Sequence, residues 1–260
     1  MLATGNNTER FNYSPVSGGF KVGRSRVVTV QDSAFSNNAG VGAWFDESTY
    51  KPTLIRSTIQ GNLHHGVSVE ISSTPIIADN VITGNANVGV KINDVDRARV
   101  WNNSVFNNKR NFWIAQDVRR GSDLSVPGHD TRQTLPDPTM PWITREVEIA
   151  NNIIGPAASG STAVDIRDYS GEFTASQMLK LMDGNRWTRS SVHSELQWWN
   201  GTKSVIYKEV SPINALGEGS HNGEIDSNGN ALLATAPRVL PADIAAVIGQ
   251  PDSPAHLGDF

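Results

Sequence analysis

Hydrophobic and polar positions alternate over short stretches in the first half of the chain, and this alternation recurs with a fixed period. Four stretches begin with glycine and then place apolar and polar side chains in turn: Gly19–Val22, Gly42–Asp46, Gly66–Glu70 and Gly89–Asn93. The lead glycines are 23, 24 and 23 residues apart. The alternation predicts β-strands. A period in the twenties predicts a solenoid, in which each coil buries its apolar face only by stacking on its neighbours.

Other positions keep their chemical type at the same period. They are a small polar residue (Ser33, Ser57, Asn80, Asn103), an apolar residue two positions later (Phe35, Ile59, Ile82, Val105), an asparagine five positions later (Asn38, Asn62, Asn85, Asn108), and an apolar residue three positions earlier (Val30, Leu54, Ile77, Val100). We expect the asparagines to be structural, because asparagine tolerates left-handed turns and stacked amides can hydrogen-bond along the axis.

The period also predicts how the chain is divided. Residues 1–18 are expected to lie across the first coil, and a fifth coil starts at Asn111. The pattern breaks over about 117–143, which predicts a loop insertion, and long loops of this kind are often functional. It resumes at Val147, at Ala163–Arg167 and at Met182–Trp187, after a short helical stretch near 176–180. We therefore predict a β-helix domain at 1–190 and an irregular C-terminal cap at 191–260, with a helix over 241–248 that Gly249 and Pro251 end.

Composition excludes several classes of protein. The net charge of −4 is spread without long runs of one sign, which argues against a nucleic-acid partner. The absence of cysteine excludes disulfides and thiolate metal sites. No apolar run approaches 18 residues, so no membrane insertion is expected. No signal peptide is visible, and because the first coil begins almost at once, we expect the chain to be a fragment of a longer protein.

Two consecutive coils carry a more specific signature. The segments Gly42-Ala43-Trp44-Phe45-Asp46 and Gly66-Val67-Ser68-Val69-Glu70-Ile71-Ser72 resemble a bacterial repeat group, with G-x-W-F-D and G-x-x-x-E-I-S coils, of the pectate-lyase-like superfamily. The ending Leu240–Ile244 through His256–Phe260 is similar to the tail of that group. This resemblance implies an all-β, right-handed parallel β-helix. Members of the superfamily cleave, epimerise or only bind glycans, so the resemblance leaves the activity open.

Stacking converts the period into a surface map, since adjacent coils are about 4.8 Å apart. One predicted outward column contains Lys21, Trp44, Ser68, Lys91, Trp113 and Asp165. The next contains Gly23, Asp46, Glu70, Asn93, Ala115 and Arg167. We expect this face to carry the functional site.

Asp46 and Glu70 are the candidate catalytic pair. They are neighbours in one column, so their carboxyl groups are expected within about 4–7 Å and one pKa should rise. A spacing of about 5 Å is that of a retaining glycosidase. The same pair would suit Ca²⁺, the one metal ion considered. In the structural alternative, each carboxylate pairs with a neighbouring lysine, or Glu70 caps a turn.

The remaining candidates serve catalysis or substrate binding. Lys91 is a candidate base for polysaccharide elimination, or else an ion-pair partner of Glu70 or Asp94. Trp44 and Trp113 are expected to stack on sugar rings, or else to be buried under the insertion or the cap. The other candidate substrate-binding residues are Lys21, Asn93, Asp165 and Arg167. We expect His64 and His65 to lie in a solvated turn and not to form a metal site.

The candidate site and the resemblance together predict a protein that processes a polysaccharide, as a glycoside hydrolase or a polysaccharide lyase. The resemblance implies an extracellular or cell-surface location. A non-catalytic carbohydrate-binding or surface-display module is the alternative. A purely structural solenoid is a third possibility. We expect a monomer, with a fibre-like trimer as the alternative. No cofactor is predicted apart from the Ca²⁺ option.

Overall fold

The structure is a computed structural model that describes residues 1–15, 17–158, 160–189 and 194–249. Its strands up to the insertion are β1 (Leu2–Thr4), β2 (Gly18–Gly23), β3 (Thr29–Gln31), β4 (Ala34–Ser36), β5 (Val41–Asp46), β6 (Thr53–Ile55), β7 (Thr58–Gln60), β8 (Val67–Glu70), β9 (Ile76–Ala78), β10 (Val81–Thr83), β11 (Val88–Asn93), β12 (Arg99–Trp101), β13 (Ser104–Phe106) and β14 (Arg110–Gln116). The later elements are β15 (Val147–Ala150), β16 (Ile153–Ile154), β17 (Thr162–Asp168), α1 (Ala175–Met178), β18 (Leu179–Asp183), β19 (Arg186–Thr188), β20 (Ser194–Trp199), β21 (Ser204–Tyr207), α2 (Val210–Ile213), β22 (Gly223–Ile225), β23 (Ala231–Leu233) and α3 (Ala242–Ile248).

These strands form three sheets in which neighbouring strands come from successive coils. The nine-stranded sheet has the order β1-β4-β7-β10-β13-β16-β19-β22-β23, the eight-stranded sheet β2-β5-β8-β11-β14-β17-β20-β21, and the six-stranded sheet β18-β15-β12-β9-β6-β3. Among the described strands, the only antiparallel pairs are β20 with β21 and β22 with β23. The fold is therefore a solenoid, as the period predicts, and it is the right-handed parallel β-helix that the resemblance implies.

The core is a set of apolar columns inside the coil. One column from each sheet shows the stacking: Phe35, Ile59, Ile82, Val105, Ile154 and Trp187; Phe45, Val69, Ile92, Ile114 and Ile166; and Val30, Leu54, Ile77, Val100, Ile149 and Met182. Full burial of such a side chain contributes roughly 1.5–3 kcal/mol. Since these contacts exist only between coils, stacking rather than any single coil stabilises the fold.

Two ladders of asparagine side chains run along the coil axis. One joins Asn38, Asn62, Asn85, Asn108 and Asn111, and the other joins Asn80, Asn103, Asn152, Asn185 and Asn222. The expectation that the asparagines are structural is confirmed. The first ladder also explains the lead glycines: a Cβ on Gly66 would lie 2.7 Å from Asn85 Nδ2 and one on Gly89 would lie 2.7 Å from Asn108 Nδ2, closer than any side chain allows.

The predicted insertion occupies the segment between β14 and β15. It folds back across the turns that follow the strands of the eight-stranded sheet. Its Trp142 and Met140 are fully buried against Ile71, and His129 stacks on Trp142 with 4.3 Å between ring centroids. Asp137 accepts a hydrogen bond from Arg26 on the first coil. The insertion is thus packed against the solenoid and forms a wall along one border of the eight-stranded sheet.

The chain ends differ from the sequence-based picture. β1 pairs in register with β4, so residues 2–4 begin a coil instead of lying across one. Beyond residue 190, β20 pairs parallel with β17, and β22 with β19, so the strands continue past the predicted end of the β-helix. The division into two domains stays a prediction. The helical stretch near 176–180 is a single turn, α1, and Lys180 already belongs to β18.

The segments after β20 cover the solenoid at its end and on its side. Val210 and Ile213 of α2 join the main core at the C-terminal end. The predicted C-terminal helix is confirmed as α3, which ends at Gly249 in the left-handed conformation. It packs against the outer side of the six-stranded sheet, over Ile55, Ala78 and Trp101. The family-like ending at His256–Phe260 lies outside the described residues.

Candidate functional site

The outer face of the eight-stranded sheet aligns the predicted site residues in two columns. The register pairs Lys21 with Trp44, Trp44 with Ser68, Ser68 with Lys91, Lys91 with Trp113, and Trp113 with Asp165. In the adjacent column it pairs Gly23 with Asp46, Glu70 with Asn93, Asn93 with Ala115, and Ala115 with Arg167. The prediction that residues about 23 apart become neighbours on this face is confirmed.

Glu70 is the most connected acid on this face. Lys91 Nζ lies 2.7 Å from Glu70 Oε1, which also accepts a hydrogen bond of 3.1 Å from Ser68 Oγ. Arg119 of the insertion lies 3.5 Å from the other carboxylate oxygen. Burial alone would raise the pKa of Glu70, but Lys91 and Arg119 outweigh it and hold that pKa below its usual value. Glu70 is therefore ionised at neutral pH.

Asp46 has its own lysine. Lys21 Nζ lies 2.7 Å from Asp46 Oδ2 and 3.9 Å from the centroid of the Trp44 ring. Burial raises the pKa of Asp46 despite Lys21, and the negative charge of Glu70 acts in the same direction. The expected rise of one pKa thus falls on Asp46. Each acid is paired with a lysine, which is the structural alternative that the sequence left open.

The beginning of the insertion supplies a buried ionic cluster beside Glu70. Arg119 Nη2 lies 2.7 Å from Asp94 Oδ2 and 2.9 Å from Asp117 Oδ2. Asn93 Nδ2 donates to both of these acids at 3.1 Å. The hydrogen bonds from Arg119 lower the pKa of Asp117 to about 2 although burial opposes them, whereas burial raises the pKa of Asp94. This cluster fixes the guanidinium of Arg119 next to the Glu70 carboxylate.

Two adjoining pockets form a groove along this face. The first, of about 350 Å³, is lined by Tyr13, Ser14, Val41, Trp44, His64, His65, Glu70, Asn87, Lys91 and Trp113. The second, of about 460 Å³, is lined by Glu70, Lys91, Asn93, Trp113, Asp117, Arg119 and Tyr169. Glu70, Lys91 and Trp113 belong to both, so they form the centre of the groove.

The predicted site residues divide into two groups. Those that line the groove are Trp44, Glu70, Lys91, Asn93 and Trp113. Those that line neither of its pockets are Lys21, Asp46, Asp165 and Arg167. Arg167 instead lies over the rings of Tyr169 and Trp199, and Asp165 pairs with Arg110 at 3.0 Å.

Several side chains that were expected to be exposed are buried. Trp44 and Asp46 are each 7% exposed, and Asn93 and Asp165 are also buried. The expectation of open exposure was wrong, because long side chains lie across this face: Lys21 covers the Trp44 ring, and Arg110 reaches over Asp165. Side chains at neighbouring outward positions therefore bury one another, and at Asn93 the insertion adds Asp117, which accepts a hydrogen bond of 3.1 Å from Asn93 Nδ2.

Sequence reasoning missed several residues that line the groove. Tyr13, Ser14, Asp117, Arg119 and Tyr169 lie outside the repeat, whereas Val41 and Asn87 lie within it. The interpretation of His64 and His65 as a solvated turn was also wrong. His65 is 4% exposed, burial lowers its pKa to about 2, and His64 stacks on Tyr13 with 3.8 Å between ring centroids. The one available signal was the position of Arg119 at the start of a predicted functional loop.

Polar atoms without a partner cluster on this face. Buried side-chain atoms that have no hydrogen-bond partner in the protein include Trp44 Nε1, His64 Nδ1, His65 Nδ1, Trp113 Nε1, Asp165 Oδ1 and Arg167 Nε. Buried polar groups in folded proteins nearly always have a partner, and each exception needs an explanation. Four of these atoms, on Trp44, His64, His65 and Trp113, belong to residues that line the groove, whereas Asp165 and Arg167 line neither of its pockets.

One comparison with known proteins gives a match. Residues 2–120, less than half of the chain, match the family model described as NosD, periplasmic copper-binding protein. No curated protein and no solved structure matches the chain. The family match supports the β-helix fold and does not support the finer resemblance to the pectate-lyase-like group. A location outside the cytoplasm, as predicted, is compatible with the family description, and no helix among the described residues is long and apolar enough to cross a membrane.

The described residues do not fit a resident copper ion. They contain no group of three or more histidine, cysteine, aspartate or glutamate side chains that could hold a metal, and the chain has no cysteine. His64 and His65 are neutral and adjacent, but two imidazoles are fewer than the three or four ligands of a usual site. The two acids that were proposed for Ca²⁺ do not fit that ion either, because each has a lysine ammonium at 2.7 Å.

Proposed function

We propose that the protein binds a glycan in the groove on the outer face of the eight-stranded sheet. One observation carries the proposal: Trp113 lies beside the ion pair of Glu70 and Lys91 at the centre of the groove, with an indole Nε1 that has no partner in the protein. An aromatic ring next to charged hydrogen-bonding groups suits a sugar, whose ring face is apolar and whose edge carries hydroxyl groups.

The charged side chains at the centre of the groove favour the binding of sugar hydroxyl groups. Glu70 is an ionised acceptor, while Lys91 and Arg119 supply donors on its two sides. Charge-assisted hydrogen bonds of this kind are about twice as strong as neutral ones. Tyr13 and Tyr169, which are 36% and 50% exposed, stand at the two ends and offer further rings to the ligand.

The geometry supports binding better than it supports hydrolysis or elimination. Asp46, whose pKa is raised, does not line the groove, and the two acids that do line it, Glu70 and Asp117, both have lowered pKa values. The groove therefore holds no carboxylic acid that could protonate a leaving group as a glycosidase requires. Lys91 lies 2.7 Å from Glu70, so its amine is engaged in an ion pair and is not directed at a substrate as the base of an elimination would be. Non-catalytic binding, the alternative that the sequence left open, is therefore the function proposed here.

The family description supports a proposal for where the protein acts. Periplasmic location is the property that we carry over from the matched family, so the proposed ligand is a glycan outside the cytoplasm. Copper binding is not carried over, since the described residues do not supply a ligand set for it.

Affinity electrophoresis tests this function. The wild type and Trp113→Ala would be run in gels that contain cellulose derivatives, xylan, β-1,3-glucan, pectin, alginate or chitosan. Retardation of the wild type by at least one polysaccharide, lost in Trp113→Ala and kept in Phe11→Ala, is expected. Phe11 is the control because it is 69% exposed and lines neither pocket of the groove. Equal migration of all three proteins in every gel would contradict the proposal. Release of reducing ends or unsaturated products would show cleavage instead of binding alone.

A further inference from the structure

Aromatic side chains form a continuous strip along the groove. Consecutive ring centroids are separated by 3.8 Å from Tyr13 to His64, 4.0 Å from His64 to His65, 6.4 Å from His65 to Trp113 and 6.3 Å from Trp113 to Tyr169. No sequence pattern predicts this strip, because Tyr13 precedes the repeat and Tyr169 follows β17. The rings instead come together through folding of segments that are far apart in the chain.

The strip runs along the coil axis, across the strands. His65 leads into β8, Trp113 lies in β14 two strands further along the sheet, and Tyr169 directly follows β17, the next strand. Three strand spacings of about 4.8 Å separate the outer two of these coils. Tyr13, stacked on His64, extends the strip at its other end. Since a pyranose unit is about as long as one strand spacing of about 4.8 Å, the strip matches a chain of about four sugar units.

We infer that the ligand is a linear glycan of about four units that lies parallel to the coil axis, with its ends on Tyr13 and Tyr169. This inference rests on the proposed function and adds the length and direction of the ligand. Glu70, Lys91 and Arg119 then hold the hydroxyl groups of the central units, between the two terminal stacking positions.

Calorimetric titration with oligosaccharides of two to eight units tests the inference. The probes are xylo-, laminari- and cello-oligosaccharides. For a series that binds, the affinity should rise at least tenfold from two units to four or five and then level off. Tyr169→Ala and Tyr13→Ala should each lower the affinity for the five-unit probe by about tenfold while changing that for the two-unit probe by less than threefold. Phe11→Ala, an exposed aromatic on the same N-terminal segment as Tyr13, should change neither.

The outcomes separate this inference from the function on which it rests. Absence of binding to every probe and every polysaccharide would overturn both. Binding that reaches its full strength at two units, or that is indifferent to Tyr13 and Tyr169, would overturn the extended strip and leave glycan binding intact. Circular dichroism of each variant would establish that it has retained the fold.

Discussion

Lys91 is held between the two features that define the groove: its Nζ lies 2.7 Å from Glu70 Oε1 and 5.3 Å from the centroid of the Trp113 ring. Register alone brings these groups together, since Lys91 pairs with Ser68 on one side and Trp113 on the other. The side chains of Lys91 and Glu70 are each 13% exposed, so their attraction is only weakly screened by water. The ion pair of Lys91 and Glu70 therefore both stabilises this face of the sheet and supplies the charged groups of the groove.

A double-mutant cycle measures the stability contributed by this pair. Glu70→Gln should lower the free energy of unfolding by about 2 kcal/mol, because it leaves the charges of Lys91 and Arg119 without their shared partner. Lys91→Met should also be destabilising, and the double variant should lose about 1–2 kcal/mol less than the sum of the two. Urea denaturation provides the values. The more exposed pair of Arg56 and Asp32 is the control, and Asp32→Asn should have a much smaller effect. Strict additivity at Glu70 and Lys91 would show that the contact contributes nothing.

The two aligned acids should titrate in opposite directions. Carboxyl-carbon NMR should give Asp46 a pKa above 3.8 and Glu70 a pKa below 4.5. Because the folded pKa of Glu70 is lowered, its contribution to stability is present above pH 4.5 and is lost as the pH falls through the folded value. The stability difference between wild type and Glu70→Gln should therefore shrink on acidification below pH 4.5. A difference that stayed constant down to pH 2.5 would contradict the lowered pKa.

The two tryptophans of the column should behave differently when truncated. Trp44 is 7% exposed, so Trp44→Ala should cost about 3 kcal/mol of stability through the cavity it leaves. Trp113→Ala should be milder for stability, since this ring is only partly buried, but should abolish glycan retention. Thermal unfolding and affinity electrophoresis of both variants give the comparison. If Trp44→Ala lost retention while keeping its stability, the main stacking ring would be Trp44 and not Trp113, and the prediction would be wrong.

The asparagine ladder should be sensitive to single substitutions. Asn85 Nδ2 donates to Asn108 Oδ1 at 2.8 Å, and Asn85 Oδ1 accepts from both nitrogens of Asn62. Asn85→Ala leaves these buried groups without partners and should cost about 2–4 kcal/mol. Asn228→Ala, at an exposed position in the loop before β23, is the matched control and should leave the urea midpoint unchanged. A midpoint for Asn85→Ala equal to that of wild type would mean that the ladder is dispensable.

The sequence predicts those parts of the molecule that repeat. The column positions of Asp46, Glu70, Lys91 and Trp113 follow from the period, because parallel stacking turns a fixed spacing into a lateral contact. Burial on the outer face does not follow from it. Whether Trp44 is open to water depends on where the flexible end of Lys21 settles, and alternation alone says only which side of the sheet the ring is on.

The repeat pattern could not predict contacts that are made by residues outside the repeat. Tyr13 and Arg119 come from irregular segments whose path is set by packing, such as the burial of Trp142 against Ile71 that anchors the insertion. These contacts change the ionisation of the predicted acids, since Arg119 lowers the pKa of Glu70 and helps to keep it ionised. The repeat thus predicted the floor of the groove but not its walls.

The most direct test of glycan binding at this groove is the indole N–H NMR signal of Trp113. Protein labelled with ¹⁵N-tryptophan would be titrated with the polysaccharide that retards it most in affinity gels, and Trp113→Phe would assign the signal. We predict that the Trp113 indole signal shifts in a saturable manner, while that of Trp142, a fully buried residue of the insertion, stays in place. A saturating titration in which the Trp113 signal does not move would place the ligand elsewhere and contradict the account.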